Sequence, residues 1–366
     1  MPITLDNLRT FAVARSLFPP TTLKRALQKF GFVQADPIRA PARAQDLILR
    51  HRVQNYRAGD LERCYHKLGI EEDFFVTYGF VTAPIHALMH PRADTEFHAE
   101  TRKPWTATHK KRAQLLLQFI RDRGPVHPSE VDKHFGHGTV KNYFGGSSNA
   151  TTHLLAAMHY RGMLRVARRD HGIRIYAEHQ HATEPATSAE RQARIDALVD
   201  VAARIYAPLP GACLTLLVRR LRYAVPQWRG ELKSALQRAK QRLAHVHLAG
   251  VDWFWPPEED PAHSAPQHSV RLLAPFDPIV WDRNRFELLC GWVYRFEAYT
   301  PAPKRKLGYY ALPLLWRDQV IGWANVSLKN GKFESDLGYV GAQPTDPSFR
   351  SERDAELDRM KVFLQS

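Results

Sequence analysis

The sequence predicts an α+β protein built from three tandem winged-helix (helix-turn-helix) domains followed by a small C-terminal β-barrel-like domain. Three observations carry this. From Thr108 onward three helix-like runs lead into two short strand-like runs around the turn signal Asp170-His171-Gly172, the order of a winged helix. The same order returns after an interval of about eighty residues, which marks a repeated supersecondary unit. Beyond residue 268 short strand-like runs follow one another, as in a small barrel or curled sheet.

In chain order, apolar residues between Thr4 and Phe18 recur at helical spacing, and Pro19-Pro20 stops that helix. Thr21 or Thr22 caps a second helix that runs to Phe30 and closes at Gly31. An extended segment from Phe32 to Asp36, a helix opened by Pro41 and running through Arg52, and a further helix near Ala58–Leu68 complete a first domain, 1–105, with Asp94–Pro104 as its exit linker. The second domain, 106–182, has helices over Thr108–Arg123, Ser129–Gly136 and Asn149–Gly162 and strands over Met163–Arg168 and Gly172–Ala177. The third, 188–260, repeats this with helices over Ala189–Tyr206, Cys213–Tyr223 and Gly230–Arg242 and a hairpin turning at Ala249-Gly250. In the fourth, 268–366, strands are expected at Val270–Leu273, Trp292–Tyr299, Gly308–Leu315, Val320–Val326 and Lys332–Gly338, with a helix over Ser348–Leu364.

With 52 Lys+Arg against 37 Asp+Glu, the 366-residue chain carries a formal charge of +15, spread along its length. A polyanionic partner follows, and nucleic acid fits better than a membrane, because no long apolar run and no purely basic amphipathic stretch is present. The N-terminal MPITLDNLRTFAVARS lacks the basic-then-apolar pattern of a secretion signal, and Cys64, Cys213 and Cys290 are few and scattered. Reduced thiols in a cytoplasm are expected. The closest histidine pairs, His245/His247, His134/His137 and His179/His181, have no second ligand cluster at metal spacing, and Gly145-Gly146 stands without the lysine of a phosphate loop. Neither a metal nor a cofactor is expected. The six tryptophans from Trp253 to Trp323 read as core and hairpin packing.

The polar residues hardest to explain by folding lie between Gly31 and Arg63. In an extended Phe32–Asp36 segment, Gln34 and Asp36 share one face. A carboxylate there can polarise a water or stabilise a developing cation, and the amide beside it can hold that water. Arg39, Arg43, Arg50, Arg52 and Arg57 crowd the same stretch, with Arg43 and Arg50 seven apart on one face of the expected helix, a phosphate-binding arrangement. By spacing alone the same residues also read as a helix cap and a solvated basic surface.

Gln34-Ala35-Asp36, followed by Arg43-Ala44-Gln45-Asp46-Leu47, and far downstream PFDPIVWDR (Pro275–Arg283) and YRFEAYTPAPKRKLGYYALP (Tyr294–Pro313), resemble the winged-helix crosslink-repair DNA glycosylases, the AlkZ/YcaQ-like group, which carry Gln-x-Gln or Gln-x-Asp at the first place. The resemblance spans nearly the whole chain. Ala35 replaces a bulkier aliphatic, Pro37 follows the aspartate, and Gly322–Lys329 departs from the expected charge pattern, as in a diverged subfamily. The resemblance implies a DNA N-glycosylase that hydrolyses the bond to an N7-alkylated purine, crosslinks included, on double-stranded DNA; because Gln34 and Asp36 already supply a water route, a monofunctional enzyme is expected over a lyase, and a monomer is expected. Asp36 would stabilise the sugar cation and activate water, and Gln34 would orient it. Arg39, Arg43, Gln45, Arg50, Arg52, Lys304, Arg305, Lys306 and Tyr309 would bind DNA. The basic run Lys304–Lys306 is expected to cap a hairpin and contact phosphates beside stacking tyrosines. The competing readings are a non-enzymatic winged-helix regulator and a metal- or Schiff-base-dependent nuclease or lyase.

Overall fold

A computed structural model describes residues 2–92, 105–136, 138–141, 147–180, 184–265 and 267–365. The chain begins with α1 (Leu5–Ser16), α2 (Leu23–Phe30), the short strand β1 (Phe32–Gln34) and α3 (Ala44–Leu49). Then come α4 (Asp60–Cys64), the hairpin β2 (Ile70–Phe74) and β3 (Tyr78–Thr82), α5 (Ala83–Met89), α6 (Ala107–Arg123), α7 (Pro128–Phe135), β4 (Thr139–Lys141), β5 (Ser147–Asn149), α8 (Ala150–Tyr160), β6 (Leu164–Asp170) and β7 (Ile173–Glu178). The remainder forms α9 (Ser188–Tyr206), β8 (Leu209–Pro210), α10 (Gly211–Arg220), α11 (Leu232–Arg242), β9 (Ala244–Leu248), β10 (Val251–Trp255), β11 (Val270–Leu272), α12 (Arg283–Cys290), β12 (Leu312–Trp316), β13 (Gln319–Lys329), β14 (Lys332–Tyr339) and α13 (Pro347–Leu364). These pack as two compact units: Met1–Leu61 with Val199–Leu217 and Leu236–Ser366, and Glu62–Leu198 with Val218–Ala235.

The first unit is centred on α1. Its start is fixed by a capping box, in which the Asn7 amide donates to Thr4 Oγ1 at 3.2 Å and the Thr4 amide to Asn7 Oδ1 at 3.0 Å. One stripe of α1, Leu8, Phe11 and Ala12, packs with Trp253 and Trp255 of β10, Ala207 and Leu289. The next stripe, Val13 with Leu17 behind it, packs with Leu273, Ile279, Val280, Phe286, Tyr294, Leu315 and Val320. One helix thus shares cores with the tryptophan hairpin and the C-terminal sheet.

That sheet is antiparallel in the order β11-β12-β13-β14, and it is open: the expected barrel does not close. Four strands are too few to wrap a filled interior, and the β11 edge is covered by α13, whose Glu356 Oε1 accepts the Leu272 amide at 2.9 Å. The strand expected at Trp292–Tyr299 is irregular backbone, because its residues bond to a loop and not to a ladder. The helix expected from Pro41 to Arg52 is only α3, with Arg43 as its extended N-cap and Arg50 just past its end. Burial of Ala44, Leu47, Ile48 and Leu49 selects this span over the start preferred by Pro41. The hairpin β2–β3, α5 and α12 were not foreseen.

In the second unit, α6, α7, α8, β6 and β7 enclose a core of Ala113, Leu116, Ile120, Val131, Leu155, Met158, Val166 and Tyr176. Helices and strands there match the expected spans within a few residues, and the β6–β7 turn has His171 and Gly172 at positive φ. The linker expected at Asp94–Pro104, Gly145-Gly146, His137 and His181 lie outside the described residues. A polar hub is buried in this unit. Asp73 Oδ2 receives His86 Nε2 at 3.1 Å and His90 Nε2 at 2.9 Å, while Oδ1 receives Arg92 Nη1 at 2.9 Å. These donors hold the Asp73 carboxyl well below the usual range in spite of its burial.

Candidate active site

Helix α2 ends at Gly31, whose φ of +76° reverses the chain into β1 at little steric cost. β1 carries Gln34 at its end. The Gln34 side-chain oxygen is buried and has no hydrogen-bond partner among the described residues, so it is an acceptor held ready at the cost of desolvation. At Asp36 the chain turns: Oδ1 accepts the Ile38 amide at 2.9 Å, a local bond that fixes the carboxylate, not a continuing strand. Asp36 is half-buried, and burial raises its pKa although the Ile38 amide opposes the shift.

The far end of the chain comes to this carboxylate. Burial and, next in size, the negative charge of Asp36 raise the phenol pKa values of both Tyr299 and Tyr310. Tyr310 is buried, its ring edge-on to Phe296 at 5.2 Å, and its hydroxyl lacks a partner among the described residues. Phe296 also meets Phe276 at 5.1 Å and Tyr299 at 6.1 Å. The two downstream blocks of the sequence therefore build an aromatic cluster, two of whose tyrosines lie within electrostatic reach of Asp36.

Beside this cluster a loop is held by one buried carboxylate. Glu297 Oε2 accepts the amides of Lys306 at 2.8 Å and Leu307 at 2.7 Å, with Gly308 at 3.4 Å. Asn325 of β13 donates to the Leu307 carbonyl at 2.8 Å. Gly308 has φ +126° and lies so close that a Cβ would sit 2.1 Å from Asn325 Oδ1. Lys304 and Lys306 are exposed at the rim. Arg305 is half-buried; its Nε donates to the Thr300 carbonyl at 2.8 Å and its guanidinium lies 5.0 Å from the Tyr309 ring centre. The basic run is thus a braced 3₁₀ turn and loop, not the cap of a hairpin.

The other sequence-derived residues divide sharply. Arg39 is exposed and Arg43 half-buried. Gln45 is buried, and its oxygen has no partner among the described residues. Arg50 is turned inward onto Glu356 and the Leu272 carbonyl. Arg52 has no exposure and makes five hydrogen bonds, to Ser16, Ile48 and both oxygens of Asp277. A phosphate-binding role for Arg50 and Arg52 is not supported by this geometry; both hold the fold, because a buried guanidinium spends its donors on carbonyls and carboxylates. Sequence reading missed Glu297, Asn325, Tyr299 and Tyr310 as parts of the site. Glu297 bonds to residues nine and more positions ahead, a spacing that no local pattern announces.

Among the described residues, Asp73, His86 and His90 offer ligand atoms within 4.8 Å of one another, but those atoms are engaged in the hub described above, outside this site. No described helix is long and apolar enough to cross a membrane. The chemistry on hand at Gln34–Asp36 is a fixed carboxylate, an unpaired amide oxygen and an aromatic cluster with a basic rim: a place for a cation-like centre, a water and a flat polyanionic substrate.

The family model described as DNA glycosylase AlkZ-like matches residues 27–363. In fold, the structure is similar to the Streptomyces sahachiroi DNA glycosylase AlkZ, with a TM-score of 0.62 over 100% of this chain and 98% of that one, at 14% identity. With the family model matched from the end of α2 into α13, across the Gln34–Asp36 motif and the aromatic cluster, this chain belongs to the AlkZ-like family of DNA glycosylases, hydrolases of DNA repair.

Proposed function

We propose that this protein removes N7-alkylated purines from double-stranded DNA, with Asp36 as the carboxylate that stabilises the sugar cation and takes the proton of the attacking water, and Gln34 as the residue that orients that water. An N7-alkylated purine is already cationic, so it leaves with the C1′–N9 electron pair as a neutral base and needs little acid help. Water oxygen bonds to C1′, and its proton passes to Asp36. One carboxylate suffices for this. The observation that carries the reading is the half-buried Asp36 carboxylate, held by the Ile38 amide within electrostatic reach of Tyr299 and Tyr310, two residues on from Gln34, whose buried oxygen has no partner among the described residues. Arg39, Arg43, Lys304, Arg305, Lys306 and Tyr309 bind the DNA backbone and bases around it, and the helix-and-hairpin units 106–182 and 188–260 serve as winged-helix DNA clamps that admit bulky lesions and crosslinks. The enzyme acts as a monomer and without a lyase step.

Base release from duplex DNA carrying N7-methylguanine tests this. Asp36→Asn is expected to lose about 100-fold or more in rate, the order seen when a charge-stabilising group or base is removed, while DNA binding is retained. Gln34→Ala loses less. If the parent protein binds the duplex and releases no base, the regulator reading replaces this one.

A further inference from the structure

Tyr299 is 74% exposed, the most solvent-open of the large apolar side chains among the described residues. Its position is nonetheless fixed. The ring meets Phe296 edge-on at 6.1 Å, the Thr300 amide donates to the Glu297 carbonyl at 2.9 Å, and Arg305 Nε holds the Thr300 carbonyl. An aromatic ring braced in water beside a carboxylate is a surface prepared for a ligand, since burying it would otherwise be favourable. The neighbouring ring, Tyr309, has its cation already: Arg305 lies over it at 5.0 Å. Among the described residues no cation is seated on Tyr299, and the ring lies within the field of the Asp36 carboxylate. A ring face in the field of a carboxylate attracts a flat cation and gives little to a neutral ring of the same shape.

We propose that Tyr299 is the specificity-determining residue for cationic bases: it stacks on the positively charged purine ring, and Glu297 acts as a positioning residue that holds it there. This deepens the proposed glycosylase reading and rests on it for the identity of the ligand. The attraction weakens when the leaving base becomes neutral, so Tyr299 supports recognition of the damaged base and not retention of the product.

The test is a pair of duplexes alike in shape and different in charge. One carries 2′-fluoroarabino-7-methylguanine, cationic with a stabilised glycosidic bond, and the other carries 7-methyl-7-deazaguanine, its neutral counterpart. Full-length protein is titrated with both by fluorescence anisotropy, as parent, Tyr299→Leu and Tyr299→Phe. The parent is expected to prefer the cationic duplex, Tyr299→Leu to lose roughly five- to tenfold of that preference, the range of a partly desolvated cation–ring contact, and Tyr299→Phe to keep most of it. Glu297→Gln shows the same loss in milder form, with an unchanged ratio of kcat between cationic substrates. A preference unchanged in Tyr299→Leu, or affinity lost equally for both duplexes, overturns the proposal. Absence of base release by the parent on ordinary N7-methylguanine would sink the glycosylase reading while leaving the charge preference of Tyr299 measurable.

Discussion

At the residue scale, Asp36 sets the pH behaviour. Burial raises its pKa, so the carboxylate is protonated at pH values where an exposed aspartate is already ionised. Because the reaction needs the ionised form, kcat/KM for base release is expected to rise with pH through an acidic limb lying above the ordinary aspartate value, then to level off; a limb at or below that value would refute the assignment. The linkage has the opposite sign for stability. A carboxyl whose folded pKa is raised binds its proton more tightly in the native state, so its ionisation weakens the fold as pH climbs through that limb. Asp36→Asn should therefore melt no lower than the parent at neutral pH, which separates its loss of rate from unfolding. Asn Oδ1 can still accept the Ile38 amide.

At the scale of an element, the loop from Glu297 to Tyr310 is the part of the site with the most strain to lose. Its closest approach is at Gly308, which combines positive φ with a Cβ position already filled by Asn325. Gly308→Ala is expected to cost the loop about 1–3 kcal/mol, the usual range for a non-glycine residue forced into such a conformation. Limited trypsin digestion at Lys304–Lys306 reads this directly: a strain near 1.4 kcal/mol raises the open population about tenfold and the cleavage rate with it. Cleavage at the parental rate would mean that Asn325 and Glu297 do not brace the loop.

At the scale of the molecule, the first unit is tied across the sequence by an ion pair that no solvent reaches. Arg52 and Asp277 are both without exposure and meet at 2.7 Å and 3.0 Å. Removing one member strands the other charge in the core, so Asp277→Ala is expected to lower the unfolding free energy by about 3–5 kcal/mol in urea titration. The double variant Arg52→Met/Asp277→Leu should be less destabilised than Asp277→Ala, since no buried charge is then left alone. If the single variant costs under about 1 kcal/mol, the pair behaves like an exposed one and the burial is not maintained in solution.

Local grammar wrote much of this protein in advance. Thr4, Thr22 and Asn149 cap helices where their side chains accept backbone amides, and the His171-Gly172 and Ala249-Gly250 turns take positive φ, at little cost for the glycine of each pair; these are interactions over a few residues, decided before the chain collapses. The Gln34-Ala35-Asp36 motif was legible through its resemblance to a known family and not through its spacing, and the basic charge of the chain pointed to a polyanionic partner. What tertiary structure alone decided is which arginines face inward and what surrounds the motif. Arg50 looks, by spacing, like a neighbour of Arg43 on a basic face, and Arg52 like part of the same basic stretch; only the arrival of Glu356 and Asp277 from the other end of the chain turns them into the core. Tyr299 and Tyr310 read as strand residues until Glu297 draws their backbone out of the sheet and up to Asp36. Contacts across more than two hundred residues leave no periodicity in the sequence, because the free energy that selects them is the burial and pairing of groups that become neighbours only on folding.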